Sequence, residues 1–271
     1  MQIEVVDDCS TEDEPEAVVY ELGKGRVNFY RKPQNEGITA NFNTCLERSR
    51  GHLIHILHGD DYIASGFYRR VADAAQKLPN TTLIATRCFV VNESNEIDRL
   101  SDRVKTLETP SSDCLTILYR FGLYAPGIVV RRSFYEQFGG FNRRLRHTAD
   151  WEMCARAVAF GAGFFINEPL AFYRYFAGND TGKLARSADD VKDILQLVDI
   201  FPQYNQGFRA NLFKKGVAAR AYSQYLAFRE IGDPAGARQN YAFWKSTAPL
   251  EVKIKHMIRR VASLAIRSHN Q

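Results

Sequence analysis

The chain has 271 residues, 45% hydrophobic and 25% charged, with a net charge of +5. That suffices for one large domain with an appendage around a substantial core, and no apolar run approaches the ~20 residues that a bilayer span requires. The opening MQIEVVDDCS has neither the basic leader nor the apolar core of a secretory signal.

Five cysteines (Cys9, Cys45, Cys88, Cys114 and Cys154) are odd in number and lack CxxC spacing. This argues against a disulfide framework or a zinc site and predicts a cytoplasmic setting. Residues 184–271 carry 14 Lys and Arg against 7 Asp and Glu, a net of +7, which leaves −2 for residues 1–183. A basic tail on a near-neutral body suits an anionic contact. No nucleic-acid-binding motif or aromatic-interleaved basic stripe accompanies it, so no nucleic acid is expected.

In chain order, residues 3–6 (IEVV) read as a buried strand ending at Asp7-Asp8, and Glu12 to Leu22 as a helix capped by Ser10 or Thr11. Val27 to Tyr30 is a second strand. A helix from Asn35 carries Ile38, Phe42, Cys45 and Leu46 on one face and ends near Gly51. Leu53 to Leu57 is a buried strand running into His58-Gly59-Asp60-Asp61, followed by a helix with Ile63, Phe67, Val71, Ala74, Ala75 and Leu78 on one side. Leu83 to Val91 and Ile128 to Val130 are strands, Trp151 to Phe160 a helix, and Gly163 to Tyr175 extended. Strands alternating with helices predict an α/β fold on a mainly parallel sheet. Beyond residue 185 the pattern becomes helical, with breaks near Pro202, at Gly232–Pro234 and at Pro249. The expected division is a domain of residues 1–185 and a helical region of 186–271.

Ligands of such sheets bind beyond the C-terminal strand ends, where Asp7, Asp8, Asp60 and Asp61 fall. Adjacent carboxylates at a strand end suit a hard divalent cation shared with substrate phosphates; they also suit a solvated turn with Asp61 as a helix cap. Asp7-Asp8 reads either as acceptors for a base or ribose or as another turn. Asp150, at the start of a helix, reads as an N-cap and equally as a rigidly presented general base.

Together the runs EVVDDCSTED, NEGITANFNTCLERSRGHLIHILHGDDYI, APGIVVRRSFYEQFGGFN and HTADWEMCARA resemble, in order and spacing, the family 2 glycosyltransferases of GT-A fold. The resemblance covers residues 3–176. It implies inverting transfer of a sugar from a nucleotide-diphosphate-sugar donor with Mg²⁺ or Mn²⁺, in surface-polysaccharide or lipid-linked glycan synthesis. Asp8 would meet the base, Asp60 and Asp61 would be the metal-binding motif, with Asp61 on the ion, and Asp150 would be the base. Asn35, Gly37 and Asn41 match the segment flanking the donor site, and Gly139-Gly140-Phe141 a turn beneath the acceptor pocket. Three features depart from the family. Ala149 stands where an acidic residue is usual, and Tyr175-Phe176 follows Tyr173-Arg174 where a His is usual. About 30 opening residues, with the first strand, are also absent. This last departure predicts that Met1 is not the natural start and that no hydrogen-bonded ladder joins IEVV to LIHIL.

Arg131, Arg132, Arg143, Arg144 and Arg146 are further candidates for a diphosphate, with His147 and Trp151 near the site. Residues 251–267 read as a basic amphipathic helix, suited to an anionic membrane surface and also to packing on the domain. Two rival functions stay open: a nucleotidyltransferase on a similar sheet, and a catalytically inactive scaffold.

Overall fold

The computed structural model describes residues 1–176 and 178–254, and the chain divides into two units, Met1–Phe176 and Ala177–Gln271. In the first the order is β1 (Glu4–Asp7), α1 (Pro15–Gly23), β2 (Asn28–Arg31), α2 (Ile38–Arg48), β3 (Leu53–His55), β4 (Tyr62–Ile63), α3 (Phe67–Lys77), β5 (Leu83–Val91), β6 (Ile97–Leu100), α4 (Leu115–Tyr119), β7 (Ile128–Arg131), α5 (Arg132–Phe138), α6 (Ala149–Phe160) and β8 (Gly163–Arg174).

The core forms where the apolar periodicity is most regular. Phe67, Val71, Ala74 and Ala75 recur at helical spacing, so α3 buries one stripe against Ile84 and Cys88 of β5, Val129 of β7 and Ile166 and Ala171 of β8. A fully buried Phe or Ile side chain contributes about 1.5–3 kcal/mol to that packing. On α6, Met153, Cys154, Ala155, Ala157 and Val158 are all buried. That helix is surrounded by protein, which fixes the direction of its N-terminus.

The sheet runs β3-β7-β5-β8-β4, with β6 also on β5. The expected α/β class stands, but the strand directions do not follow the expectation of a mainly parallel sheet. β5 is parallel to β8, whereas β3–β7, β5–β7, β5–β6 and β4–β8 are antiparallel. Hydrophobic periodicity encodes burial and not direction. β5 turns straight into β6 through Asn92, whose side-chain oxygen accepts from the N–H groups of Ser94 and Glu96. So short a connection makes a hairpin rather than a crossover.

β1 and β2 form a separate parallel pair. Among the described residues no ladder joins β1 to β3. Side chains tie the two regions instead: the Gln2 amide donates to the Arg48 carbonyl and accepts from the Arg50 N–H, and Arg48 pairs with Glu4.

The second unit contains α7 (Asp180–Ser187), α8 (Asp189–Ile200), α9 (Ala210–Glu230) and α10 (Pro234–Thr247). Its breaks follow local chemistry. Pro202 lies in the turn after α8, and Gly232 takes φ +75° after α9. The Asp233 carboxylate accepts from Ala235 N–H and Gly236 N–H, with Pro234 opening α10. The Asn240 amide donates to the Ala185 carbonyl at 2.9 Å, binding α7 to α10. The division therefore falls before α7, which a boundary at residue 185 would cut. Among the described residues no helix is long and apolar enough to cross a membrane. Residues 255–267 of the expected basic helix lie outside the described residues.

Candidate active site

β3 stops at His55, shorter than the predicted strand, and the chain turns through His58–Asp61 before β4. Asp61 N–H donates to the His58 carbonyl at 3.2 Å and closes this turn. Pairing of Tyr62 with Phe172 then brings Arg174, the last residue of β8, beside the two aspartates. Arg174 N–H donates to Asp61 Oδ1 at 2.8 Å. The second oxygen, Oδ2, is buried without a hydrogen-bond partner. Burial pushes the Asp61 carboxyl up to about 7, with Asp60 adding to the rise and the Arg174 N–H opposing it. Asp60 itself is exposed.

Arg174 braces the turn with its side chain too. Its Nε donates to the Asp60 carbonyl at 2.9 Å, and its other nitrogens reach the carbonyls of Asn92 and Glu93 and the Asn95 side chain. Sequence reasoning passed over this residue, although the Tyr173-Arg174 pair at a strand end was the available signal. Arg174→Lys keeps the charge but cannot reproduce so many directed bonds. It is expected to destabilise the fold by about 1.5–3 kcal/mol, the range for a hydrogen bond to a charged group, measured by urea unfolding. Unchanged stability would refute the bracing role.

His58 was likewise not anticipated. Its ring stacks on Phe42 of α2, with centroids 5.1 Å apart and planes 15° apart. Its Nδ1 lies 3.8 Å from Asp61 Oδ2. His58, Asp60 and Asp61 each offer a ligand atom, all within 4.8 Å of one another. Two carboxylates and an imidazole, one carboxylate oxygen being buried and unsatisfied, fit a divalent cation.

Asp150 is the second residue of α6, preceded by Thr148 at the cap. Its Oδ1 accepts from the Trp151 N–H at 2.7 Å. Asp150 is half-buried. Burial raises its pKa, while His147, the Trp151 N–H and His58 pull it down. Burial lowers the His58 pKa against the opposing pull of Asp150 and Asp60. His58 thus senses both the acidic turn and Asp150, so these groups share one electrostatic neighbourhood. Trp151 is half-buried, stacks on Phe121 at 5.7 Å and donates its indole N–H to the Ile117 carbonyl.

The first aspartate pair divides its roles. Asp7 is buried, accepts from Ser10 N–H at 3.1 Å and pairs with Arg31 at 3.2 Å, which is a structural use. Asp8 accepts from Glu36 N–H and Gly37 N–H at 3.1 and 2.8 Å and pairs with Lys32 at 2.8 Å. These bonds hold the loop before α2. Gly37, at φ +86°, takes a conformation favoured for glycine, and its N–H also donates to Asn35 Oδ1. Asn41 donates to the Val6 carbonyl at 3.2 Å, while its Oδ1 is buried without a hydrogen-bond partner. α2 consequently joins the Asp8 loop at its N-terminus to His58 along its side.

Gly139-Gly140-Phe141 packs beneath that helix. Asn43 donates to the Phe141 carbonyl at 3.0 Å and accepts from Phe141 N–H at 2.8 Å. A Cβ on Gly140 would collide with the Asn43 Oδ1 and press on Leu46. Gly140→Ala is expected to cost about 2–3 kcal/mol, from overpacking plus a strained buried hydrogen-bond pair. Urea unfolding checks this, and a loss under about 0.5 kcal/mol, the level of a neutral surface change, would contradict it.

The arginines separate by use. Arg131 donates to the carbonyls of Thr81, Ala75 and Leu78, and Arg132 to the Gly51 carbonyl and Ser49 Oγ. Both serve helix ends rather than a diphosphate. Arg143, Arg144 and Arg146 are exposed, and His147 is half-buried.

A family model described as Glycosyl transferase family 2 matches residues 1–139. The succinoglycan biosynthesis protein ExoU of Rhizobium meliloti (strain 1021) is 27% identical over 198 residues, covering 69% of this chain and 57% of that protein. The chain spans about three-fifths of the length of the curated relatives it matches. Among solved structures, S. aureus TarS 1-349 in complex with UDP-GlcNAc aligns with a TM-score of 0.54 at 13% identity, over 90% of this chain and 82% of that one. Mannosyltransferase PcManGT from Pyrobaculum calidifontis, in complex with GDP-Man and Mn2+, aligns with a TM-score of 0.53 at 18% identity, over 98% and 71%. At these identities the likeness shows the fold, which is GT-A.

Proposed function

The chain belongs to glycosyl transferase family 2, and we propose that it moves a sugar, with inversion, from a nucleoside-diphosphate sugar to an acceptor hydroxyl. A glycan or lipid-linked acceptor in surface-polysaccharide synthesis fits best, given the succinoglycan relative. The observation that carries the reading is the buried, unsatisfied Asp61 Oδ2 beside His58 and Asp60, with Asp150 acting on the same imidazole.

Asp60 and Asp61 would hold Mg²⁺ or Mn²⁺, in keeping with the Mn2+ in the PcManGT complex. When bound, such a cation neutralises the charge that develops on a departing diphosphate. The loop fixed by Asp8, with Asn35, Gly37 and Asn41, receives the nucleoside; the free Asn41 Oδ1 is one acceptor for it. Asp150 takes the proton of the acceptor hydroxyl as that oxygen forms its bond to the anomeric carbon. The bond from that carbon to the diphosphate oxygen breaks, and its electron pair leaves with the diphosphate. A carboxyl whose pKa is raised by burial is a better base near neutrality than an exposed aspartate.

The test is a panel of UDP-, GDP- and dTDP-sugars with Mn²⁺ or Mg²⁺. The donor should release its nucleoside diphosphate and stabilise the protein against unfolding, by about 2.7 kcal/mol at 100 times its Kd. No stabilisation and no release across the panel would overturn the proposal.

A further inference from the structure

The donor set at the acidic turn is not all oxygen. We infer that the His58 imidazole is a third protein ligand of the cation, so that the site takes a first-row transition ion such as Mn²⁺ in preference to Mg²⁺ or Ca²⁺. This rests on the metal-dependent reading above and adds to it a nitrogen ligand and a selectivity.

The contact between His58 and Asp61 fits a shared ion better than a direct bond. At 3.8 Å, Nδ1 and Asp61 Oδ2 are too far apart for a hydrogen bond. Each group is nevertheless held in place facing the other. The Asp61 side chain is fully buried, with Oδ1 engaged by Arg174 N–H, so Oδ2 cannot turn to water. The imidazole is clamped by its stacking on Phe42, which packs in turn on Phe141 at 5.1 Å. Two atoms each ~2.1 Å from one cation can lie up to about 4.2 Å apart, so the observed 3.8 Å admits an ion between them. Asp60, exposed and next in the cluster, can rotate to complete the set.

The ligand types decide the selectivity. Mg²⁺ and Ca²⁺ are hard ions that take oxygen ligands, and Mg²⁺ tolerates little departure from an octahedron of them. Imidazole nitrogen suits Fe²⁺, Ni²⁺, Cu²⁺ and Zn²⁺ best. Mn²⁺, at the weak end of that series and fond of oxygen ligands too, still takes nitrogen more readily than Mg²⁺ or Ca²⁺. Replacing one oxygen by nitrogen therefore penalises Mg²⁺ and Ca²⁺ most.

Electron spin-echo envelope modulation of Mn²⁺ added to the full chain tests the inference directly. Wild type should show the ¹⁴N modulation of a bound imidazole, and Mg²⁺ at the concentration of Mn²⁺ should displace less than half of it. His58→Ala should lose the modulation and bind Mn²⁺ about tenfold or more weakly. His58→Asp, which restores a ligand in case the alanine variant folds poorly, should bind Mn²⁺ without modulation and accept Mg²⁺ about equally. Mn²⁺ bound by wild type without ¹⁴N modulation would overturn the nitrogen ligand and leave the transferase reading intact. Failure of wild type to bind Mn²⁺ at all would overturn the metal site itself and the inference with it.

Discussion

Asp150→Asn is expected to lower turnover by about 10²–10⁴-fold, the usual contribution of a general base, with donor affinity unchanged. Asparagine is isosteric, and its Oδ1 can still accept the Trp151 N–H that now holds the carboxylate. α6 buries its own Met153, Cys154, Ala155 and Val158 against the surrounding protein, so the helix will not move to accommodate the change. Stability should hold or rise, because burial disfavours the charged form at this position and asparagine carries no charge. The loss is then confined to proton removal from the acceptor. Product formation gives turnover, and calorimetric titration with donor gives affinity. An equal fall in both would show that Asp150 binds donor rather than acting as the base.

Where the sequence was legible, one local rule sufficed. β5 came out with its predicted limits because Leu83 to Val91 is a largely apolar run. α3 followed from the spacing of Phe67, Val71, Ala74 and Ala75, and α6 from its continuous apolar face, although its N-cap is Thr148 and Asp150 lies inside the helix. The acidic turn was legible as a position, since carboxylates after a buried strand fall at the sheet's edge. What stayed hidden depends on partners distant in sequence. β4 is two residues long and exists because Tyr62 pairs with Phe172. Strand direction is set by connection geometry, which periodicity does not carry. Arg174 and Asp61 are 113 positions apart, so the brace between them has no local signature. The uses of Arg131 and Arg132 were hidden for the same reason: an arginine bonded to helix-end carbonyls reads in sequence like one on the surface.

The second large effect belongs to Asp61. Asp61→Asn is expected to abolish metal-dependent turnover and, in the absence of cation, to stabilise the fold near neutral pH. The asparagine side chain can keep the bond from Arg174 N–H through its carbonyl oxygen, whereas alanine would leave that donor unpaired. The change therefore removes the charge and little else. In the native chain the folded carboxyl titrates near about 7 against an ordinary value of 3.8. Between those values the folded state keeps a proton that the unfolded state has released, so stability falls as pH rises. The contribution is full below about pH 4 and is lost as pH rises through 7. At about 1.4 kcal/mol per unit, the loss is on the order of 4 kcal/mol. A bound cation replaces that proton, so Mn²⁺ should restore wild-type stability at pH 7 to 8 and leave Asp61→Asn unmoved. Urea unfolding from pH 4 to 8, with and without Mn²⁺, measures both slopes. Wild-type stability that is flat with pH, or an asparagine variant that still turns over with Mn²⁺, would remove Asp61 from the centre of the site. The expected result would mean that a residue costly to the empty fold is one the reaction requires, as for a functional group held under strain.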